Sequence, residues 1–162
     1  MLTAVVTASA YTPVSTLLYR ISEPRYLCPI STGSHAIRIR NDACGSGTFG
    51  ASRSGNRRHT GLDIAAAVGT PVRAAKSGVA FCGKVPTGYG KYVMIYHPDG
   101  AQTVYAHLSH YAVFSTKKVR RGEVIGYVGT SGNARDGRMQ PHLHFEIRED
   151  GRYLNPATRI ST

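Results

Sequence analysis

The fold is constrained most strongly by the segment Pro141-His142-Leu143-His144-Phe145-Glu146-Ile147. Polar and apolar residues alternate along it, and such alternation predicts a half-buried strand because successive side chains point to opposite faces. The two histidines and the glutamate then share one face, and the apolar residues face the core. Adjacent imidazoles on a half-buried strand need a metal, a substrate or water as partner, because an unpaired polar group is costly to bury.

Short strands separated by turns continue from this segment toward the N-terminus. Residues 92–96 are rich in β-forming types, and the turn sequence His-Pro-Asp-Gly at 97–100 leads into a returning strand at 102–108. Residues 123–128 form another short run bounded by glycines. Strands at this spacing with glycine-rich turns predict a mainly β fold built on an antiparallel sheet.

Composition limits the class of protein and its partners. The chain has 162 residues with a net charge of +11, and 41% of its residues are apolar, which excludes a disordered chain and indicates one main domain. The longest apolar runs are shorter than the ~18 residues that cross a bilayer, so no membrane span is predicted. The positive charge favours an anionic partner such as nucleic acid, a membrane surface or cell-wall polymers.

The N-terminal third of the chain differs in character from the rest. Residues 1–45 show little periodicity and are interpreted as an N-terminal extension, irregular or with short strands, ahead of a functional domain at 46–162. The apolar residues 2–10 end in Ala8-Ser9-Ala10, which resembles a signal-peptidase site. No basic segment precedes them, so the sequence does not decide whether they belong to a signal peptide.

The three cysteines form no Cys-x-x-Cys pair, which excludes a zinc knuckle or a thioredoxin-like motif. The sequence allows either a Cys28–Cys44 disulfide or three free thiols. Cys82 is interpreted as a buried small residue.

Two further segments place histidines where they could converge. His59 and Asp63 lie four residues apart around Gly61, which gives the backbone freedom to direct both side chains to one point. On the predicted strand 102–108, alternation places His107 on one face with Tyr105. Imidazoles with one carboxylate suit a first-row metal, with zinc as the default, and a catalytic zinc keeps one position for water.

The remaining histidines have two interpretations. Two of those near the predicted metal are available for proton transfer and for hydrogen bonding to a developing oxyanion. The isolated His35, His97 and His110 are interpreted as surface or turn residues.

Taken together, these motifs resemble the lysostaphin-type (LytM-like) zinc endopeptidases of bacterial cell walls. The similarity extends from about residue 49 to about residue 160. It rests on an ordered set of segments, at 59–65, 69–75, 88–93, 105–108, 122–126, 129–132, 141–146 and 155–156.

The resemblance implies both a ligand set and a reaction. One zinc ion (Zn2+) per chain would be bound by His59, Asp63 and His144, and His107 and His142 would be the catalytic pair, one as general base and the other stabilising the tetrahedral intermediate. The fold implied is an antiparallel β core of the LytM-like, duplicated-hybrid-motif type, with an active-site groove walled by loops. The implied function is hydrolysis of peptide cross-links of peptidoglycan outside the cytoplasm, with peptide stems, cross-bridges and anionic cell-wall polymers as partners.

The sequence departs from the resembled pattern in three places. The segment 49–53 has one residue more than the usual Phe-Gly-x-Arg, the first 45 residues have no counterpart, and the stretch 133–140 before the paired histidines is longer. We expect this longer loop to lie beside His142 and to affect the substrate rather than the chemistry. The residues expected to contact substrate are Tyr105, Asn133, Arg135 and Arg138. The motifs do not choose between a D,D-type cross-link, a glycine bridge and another linkage.

Two other functions were compared with the endopeptidase. A non-catalytic wall-binding or hydrolase-activating module of the same fold would fit the charge and the unassigned N-terminal residues, but the intact histidine and aspartate set disfavours it. A nucleic-acid-binding β domain rests on charge alone, since no aromatic-basic recognition motif is present, so no nucleic acid is expected. For the endopeptidase, we expect activity to fall below about pH 6, because its histidines must be neutral.

Overall fold

A computed structural model describes residues 13–31 and 36–161 of the chain. Within these ranges the chain forms one α-helix, fifteen short strands and two 3-10 helices. The helix is α1 (Pro13–Ser22), and the 3-10 helices are Gly132–Arg135 and Pro156–Thr158. The strands are β1 (Tyr26–Leu27), β2 (Asn41–Asp42), β3 (Gly45–Ser46), β4 (Ser52–Arg53), β5 (Arg57–Arg58), β6 (Leu62–Ala65), β7 (Pro71–Arg73), β8 (Gly78–Lys84), β9 (Lys91–Tyr96), β10 (Gln102–Tyr111), β11 (Lys118–Val119), β12 (Val124–Val128), β13 (His142–Glu149), β14 (Arg152–Leu154) and β15 (Ile160–Ser161).

Nine of these strands form one sheet in which every pairing is antiparallel. The order β11-β8-β9-β10-β12-β7 runs along the sheet, and β13 pairs with β10, β6 and β14. Strand β10 pairs with β13 through residues 102–106 and with β12 through residues 108–111. His107 lies at the change of partner and has a φ of 64°. The prediction of a mainly β fold with an antiparallel sheet is confirmed.

The hairpin predicted around residues 97–100 is present. Tyr96 pairs with Gln102 at its closed end, and the N–H of His97 donates to the carbonyl of Ala101 at 2.9 Å. Asp99 closes the turn, because its carboxylate accepts the N–H of Ala101 at 3.2 Å. An aspartate that accepts a backbone N–H two residues on is the local bond that makes this sequence a turn.

The core lies where the alternating pattern of β13 predicts it. Leu143, Phe145 and Ile147 are fully buried, together with Val93 and Ile95 of β9. Burial of each such side chain contributes about 1.5–3 kcal/mol to folding. The core face of β13 is thereby fixed, and the opposite face of the same strand is left to the histidines and the glutamate.

The N-terminal segment differs from its prediction. Residues 13–22 form a helix rather than an irregular stretch, and β1 pairs in parallel with β15 at the other end of the chain. Tyr26 and Ile30 belong to the main hydrophobic core, and Ile39 forms a bridge with Ile64 of β6. This segment therefore packs on the sheet, while the division of the chain at residues 45 and 46 stays a prediction.

The cysteines are thiols at all three positions, so Cys28 and Cys44 are not joined. Cys82 is partly exposed rather than buried. The tripeptide at 8–10 and His35 lie outside the described residues. In the part of the chain that is described, no helix has the length and apolar character needed to cross a membrane.

His97 is a buried residue and not the surface or turn residue that was predicted. His97 is 5% exposed, its Nδ1 donates to the carbonyl of Ser77 at 2.9 Å, and its Nε2 lies at the same distance from the Thr103 hydroxyl oxygen. Burial lowers the pKa of His97 to about 4, outweighing the opposing effects of the Ser77 carbonyl and of Asp99. Burial therefore favours the neutral form of this ring.

The free energy of unfolding is therefore expected to fall when His97 becomes protonated. An unfolded histidine with its ordinary pKa of about 6.5 binds a proton that the folded ring binds only near pH 4, so stability is lost as pH falls through this interval. Between pH 7 and pH 4 the wild-type chain should lose about 3 kcal/mol more than His97→Gln does. Urea denaturation at each pH measures the difference, and parallel curves for the two proteins would contradict this assignment.

Candidate metal centre

Two strands and the segment before one of them bring three polar side chains to one point. Strand β13 pairs with β6 so that His144 lies opposite Asp63. His59 lies three residues before the start of β6. Asp63 Oδ1 lies 2.8 Å from His144 Nδ1 and 3.0 Å from His59 Nε2, and the two nitrogens are 3.0 Å apart. All three residues are buried. Their nearest atoms form a compact set of two imidazole nitrogens and one carboxylate oxygen.

The far nitrogen of each of these two histidines is held by an acceptor. His59 Nδ1 donates to the carbonyl of Thr48 at 2.8 Å, and His144 Nε2 donates to Glu146 Oε1 at 3.0 Å. Because the far nitrogen keeps its proton, loss of a proton from the nitrogen that faces the centre leaves a lone pair there for a metal. Metal-binding histidines in proteins are oriented in this way.

Glu146 anchors a network behind His144. Its side chain is fully buried, and it accepts from the Thr60 hydroxyl at 2.6 Å and from the Tyr89 hydroxyl at 2.8 Å. Arg148 donates to its second oxygen through Nε at 3.0 Å and Nη2 at 2.6 Å. Burial alone would raise the pKa of Glu146, but the hydrogen bond from His144 and the nearby positive charges lower it to about 2. The carboxylate is therefore ionised.

Opposite charges set the protonation of the central pair. Burial alone would raise the pKa of Asp63, but hydrogen bonds from His144 and His59 outweigh it and hold that pKa far below its usual range. Burial opposes protonation of His144, yet its contacts with Asp63 and Glu146 raise its pKa to about 9. Asp63 is thus a carboxylate. His144 is the basic group, and a metal cation would replace a proton on it.

Two more histidines border the centre. The His107 and His142 rings are 4.9 Å apart between centroids, and His142 Nε2 lies 3.8 Å from Asp63 Oδ1. His107 Nδ1 donates to the carbonyl of Ser131 at 2.9 Å, and His142 Nδ1 donates to that of Gln140 at 2.7 Å. In the neutral rings, the lone pair then lies on Nε2.

Both of these rings favour the neutral form. Burial, followed by the charges of His144 and His142, lowers the pKa of His107 to about 3. Burial also lowers the pKa of His142, although Asp63 opposes the shift. At neutral pH, each ring offers a lone pair that can accept a proton.

The residues present fit a zinc ion. Two nitrogens and one carboxylate oxygen are the protein ligands that catalytic zinc takes, with further positions left for water or substrate. The donor atoms already converge, and a second layer of acceptors orients both imidazoles. The prediction that His59, Asp63 and His144 come together is matched by this geometry, while their roles as metal ligands stay a prediction.

The predicted substrate contacts in the 133–140 loop lie on the surface beside these histidines. Asn133 is held against the 85–90 loop, because its Oδ1 accepts the N–H of Gly88 at 2.9 Å and its N–H donates to the Gly88 carbonyl at 3.0 Å. Arg138 is exposed and paired with Asp136 at 2.8 Å, and Arg135 is exposed at the end of the first 3-10 helix. Substrate contact by these three residues stays a prediction.

The prediction of substrate contact for Tyr105 is wrong. Tyr105 is fully buried, and its hydroxyl accepts the N–H of Ala75 at 2.8 Å and the Thr103 hydroxyl at 2.9 Å. Tyr105 pairs with Phe145 across the sheet, and directly opposed residues point to the same face, so Tyr105 belongs to the core face. Strand β10 reaches the site because its register shifts between Tyr105 and Leu108, which brings His107 to the other face.

Replacing Tyr105 with phenylalanine separates these two interpretations. Tyr105→Phe leaves the buried N–H of Ala75 without its acceptor and is expected to lower the free energy of unfolding by about 1–3 kcal/mol. The KM for a peptide substrate should stay at the wild-type value. Denaturant unfolding and steady-state kinetics measure the two effects, and a raised KM with unchanged stability would return Tyr105 to the binding surface.

Several residues of the centre were given no role from the sequence. Glu146 was placed on the face of His142 and His144 without a role, and Arg148 continues the same alternation along β13, so its position was a usable signal. Thr48, Thr60 and Tyr89 come from loops, and no local pattern marks them.

The antiparallel sheet and this histidine-aspartate cluster define a β-sheet domain with a candidate metal centre. The chain belongs to peptidase family M23, whose sequence profile matches residues 57–156.

Relatives of the chain include both hydrolases and activators by name. The DD-carboxypeptidase/endopeptidase Mpg of Neisseria meningitidis is 47% identical over 102 residues, which are 63% of this chain and 23% of Mpg. The murein hydrolase activator NlpD of Escherichia coli is 36% identical over 110 residues, which are 67% of this chain and 27% of NlpD. The chain thus matches about a quarter of the length of these relatives.

Solved structures of the same fold include the catalytic domain of the antimicrobial peptidase lysostaphin from Staphylococcus simulans. It has a TM-score of 0.60 and 29% identity, over 68% of this chain and 86% of that one. A chain of the SpoIIQ-SpoIIIAH pore-forming complex has a TM-score of 0.66 and 26% identity, over 85% of this chain and 91% of that one. The fold is therefore shared by a peptidase and by a component of a pore-forming complex.

Proposed function

We propose that the chain is a zinc-dependent endopeptidase that hydrolyses peptide cross-links of bacterial peptidoglycan outside the cytoplasm. The proposal rests on the convergence of His59 Nε2, Asp63 Oδ1 and His144 Nδ1 within about one hydrogen-bond length of each other. A purely structural cluster would not need the two additional imidazoles, His107 and His142, with their Nε2 lone pairs beside it.

The chain's own residues supply the rest of the chemistry. His59, Asp63 and His144 would hold the zinc, which when bound polarises a scissile carbonyl and makes a water acidic at neutral pH. The Nε2 of His107 or of His142 accepts the proton of the attacking water. The ring that has gained this proton becomes a hydrogen-bond donor, either to the developing oxyanion or to the departing amine. Glu146 and the Thr48 carbonyl keep the ligand rings in orientation.

The substrate class is supported by the relatives and by charge. Mpg carries endopeptidase activity in its name, and the lysostaphin domain is a peptidase. A net charge of +11 favours binding to an anionic wall. Activity is expected to fall below about pH 6, because the metal-binding histidines must be unprotonated at the nitrogen that binds zinc.

Metal loading and wall hydrolysis test this proposal together. The purified chain is expected to bind one zinc ion and to release dye from labelled sacculi, and a chelator should abolish the release until zinc is restored. The activator function known by name for NlpD would give a different result, namely no release by the zinc-loaded chain alone and release once a purified wall amidase is added. The second result would replace the endopeptidase proposal.

A further inference from the structure

An arginine from the N-terminal segment reaches the candidate metal centre. The Arg40 side chain is 2% exposed. It donates to Asp63 Oδ2 through Nε at 3.3 Å and through Nη2 at 3.1 Å. Arg40 therefore occupies the carboxylate oxygen that does not face the histidine nitrogens.

Asp42 extends this contact to the loop before His142. Its Oδ1 accepts from Arg40 Nη1 at 2.6 Å, and its Oδ2 accepts the N–H of Gln140 at 2.8 Å. The carbonyl of Gln140 in turn accepts from His142 Nδ1 at 2.7 Å. Hydrogen bonds on both sides of the Gln140 backbone thus connect a candidate metal ligand to a candidate catalytic histidine.

The backbone holds Arg40 in this place. The N–H of Arg40 donates to the carbonyl of Asp63 at 2.9 Å, and the N–H of Gly47 donates to the carbonyl of Arg40 at 2.8 Å. A Cβ at Gly47 would lie 2.6 Å from the Cβ of Asp63, so only glycine lets this segment approach so closely. The position of the guanidinium is set by the fold and not by side-chain flexibility.

We propose that Arg40 and Asp42 are positioning residues of the site. Arg40 fixes the carboxylate of Asp63 so that Oδ1 alone is presented to the metal, and Asp42 fixes the Gln140 carbonyl that orients His142. The planar guanidinium suits this task, because its donors match a carboxylate in two parallel bonds that lysine cannot reproduce. The inference rests on the proposed function and gives a role to residues outside the family match.

Arg53 does not provide the same contact. Its Nη2 lies 3.5 Å from Asp63 Oδ2, and its side chain is 23% exposed, so it adds charge rather than orientation. If Arg40 acted only through its charge, Arg40→Lys would therefore keep the zinc affinity. If Arg40 acts through the geometry of its guanidinium, the zinc affinity would fall.

Two substitutions and one matched control test the positioning role. Arg40→Lys keeps the charge and should weaken zinc binding about 10- to 100-fold, as loss of an outer-layer partner does. Asp42→Ala should speed hydrogen exchange of the Gln140 amide at least about tenfold in the zinc-free protein and lower kcat more than it raises KM. Asp99→Ala is the control, because Asp99 also pairs with a buried cation, Lys76 at 3.1 Å, and accepts a backbone N–H.

The outcomes separate this inference from the proposed function. Wild-type zinc affinity in Arg40→Lys, together with Gln140 exchange in Asp42→Ala equal to that in Asp99→Ala, would overturn the positioning role. If the wild-type chain binds zinc and cleaves nothing, the proposed function fails, while the zinc affinity of Arg40→Lys still decides the inference. If it binds no zinc, amide exchange in the metal-free protein decides it.

The apolar side of helix α1 faces outward, and this observation supports a second, independent inference. The helix contacts two turns beside the sheet through polar groups, because Thr16 Oγ1 donates to the Pro98 carbonyl at 3.3 Å and the Tyr19 hydroxyl donates to the Ser77 carbonyl at 3.0 Å. Its other side exposes a stripe of large apolar residues at helical spacing, each 59–67% accessible. They are Val14, Leu17, Leu18 and Ile21.

A basic segment lies next to the end of this helix. Ser77 connects the two, because its N–H donates to Glu23 at 2.7 Å and its hydroxyl accepts the N–H of Arg121 at 2.9 Å. Arg121, Lys118 and Arg120 are all exposed. An apolar stripe with cations beside it matches a surface that offers both acyl chains and negative headgroups. Wall polymers offer the negative charge without the apolar phase.

The geometry points to α1 and the 117–121 segment as a docking surface for an anionic lipid bilayer. Helix α1 contacts the 97–101 turn at one end of β9 and β10, whereas Tyr89 and His107 of the metal centre lie toward the other end of these strands. A chain docked through α1 would therefore direct its candidate active site away from the bilayer.

Vesicle binding of the full chain tests this docking surface. The wild-type chain should co-float with phosphatidylglycerol-containing vesicles and not with phosphatidylcholine vesicles, and Leu17→Glu should weaken binding at least about tenfold. Val68→Glu is the matched control, since it adds the same charge at another exposed apolar residue, 56% accessible, between β6 and β7. Equal weakening by both substitutions, no binding to anionic vesicles, or a dimer in solution that Leu17→Glu dissociates would each overturn the proposal.

Discussion

His144→Ala is expected to abolish both zinc binding and peptidoglycan hydrolysis. His144 offers Nδ1 to the centre, 2.8 Å from Asp63 Oδ1, while Glu146 holds its other nitrogen. Loss of a ligand should weaken zinc binding by more than the 10- to 100-fold that an outer-layer partner costs. Hydrolysis should fall by at least about 10³-fold, because the metal supplies both the acidic water and the carbonyl polarisation. Chelator competition and muropeptide release measure the two effects.

The control for this substitution is His110→Ala. His110 is exposed and stacks on Tyr127 with a centroid distance of 4.4 Å, so its removal tests the loss of an imidazole away from the cluster. It should keep wild-type zinc affinity and activity. A His144→Ala protein that stays folded and retains stoichiometric zinc would show that the metal is held elsewhere.

The second large effect concerns His107 and His142. Each ring presents a neutral Nε2, and removal of a positioned proton acceptor typically costs 10²- to 10⁴-fold in rate. His107→Ala and His142→Ala are therefore each expected to lower kcat by about this amount while zinc stays bound. Separate measurement of kcat, KM and zinc content distinguishes these variants from His144→Ala.

The two catalytic candidates are also distinguishable from residues that only shape the cluster. A proton acceptor should shift or flatten the pH dependence of kcat when it is removed, whereas a packing residue should lower activity at every pH by the same factor. Activity within about tenfold of wild type in both variants would exclude these rings from proton transfer.

Much of the site was predictable because its key strand is regular. Along β13 the alternation placed His142, His144 and Glu146 on one face. This strand pairs without a register shift with β6 over residues 142–145 and with β10 over residues 144–148. One buried strand with an uninterrupted ladder therefore fixed the relation between these side chains.

Strand β10 shows where alternation fails. Both of its faces are buried, so the pattern of its sequence could not tell which face meets the core. Residues 103 and 105 point to the core with Phe145, and His107 reaches the site only after a change of partner and of register. A bulge is set by long-range pairing, and nothing within residues 102–108 marks it.

The N-terminal segment was missed for two different physical reasons. Helix α1 has its apolar residues at helical spacing, but the side facing the sheet is polar, which reverses the usual pattern. The partner of Arg40 lies 23 residues away along the chain, and such an ion pair leaves no local trace in a sequence. Both features depend on tertiary contacts rather than on propensity.

Mass spectrometry of one defined substrate shows directly whether the chain is a zinc-dependent endopeptidase. A purified cross-linked muropeptide is incubated with the zinc-loaded chain and with the same chain after chelation. We expect monomeric products with a new amine and a new carboxyl terminus at the cross-link, formed only with zinc present and absent with His144→Ala. An intact substrate after incubation with stoichiometrically loaded protein, across a panel of D,D-type and glycine-bridged cross-links, would contradict it.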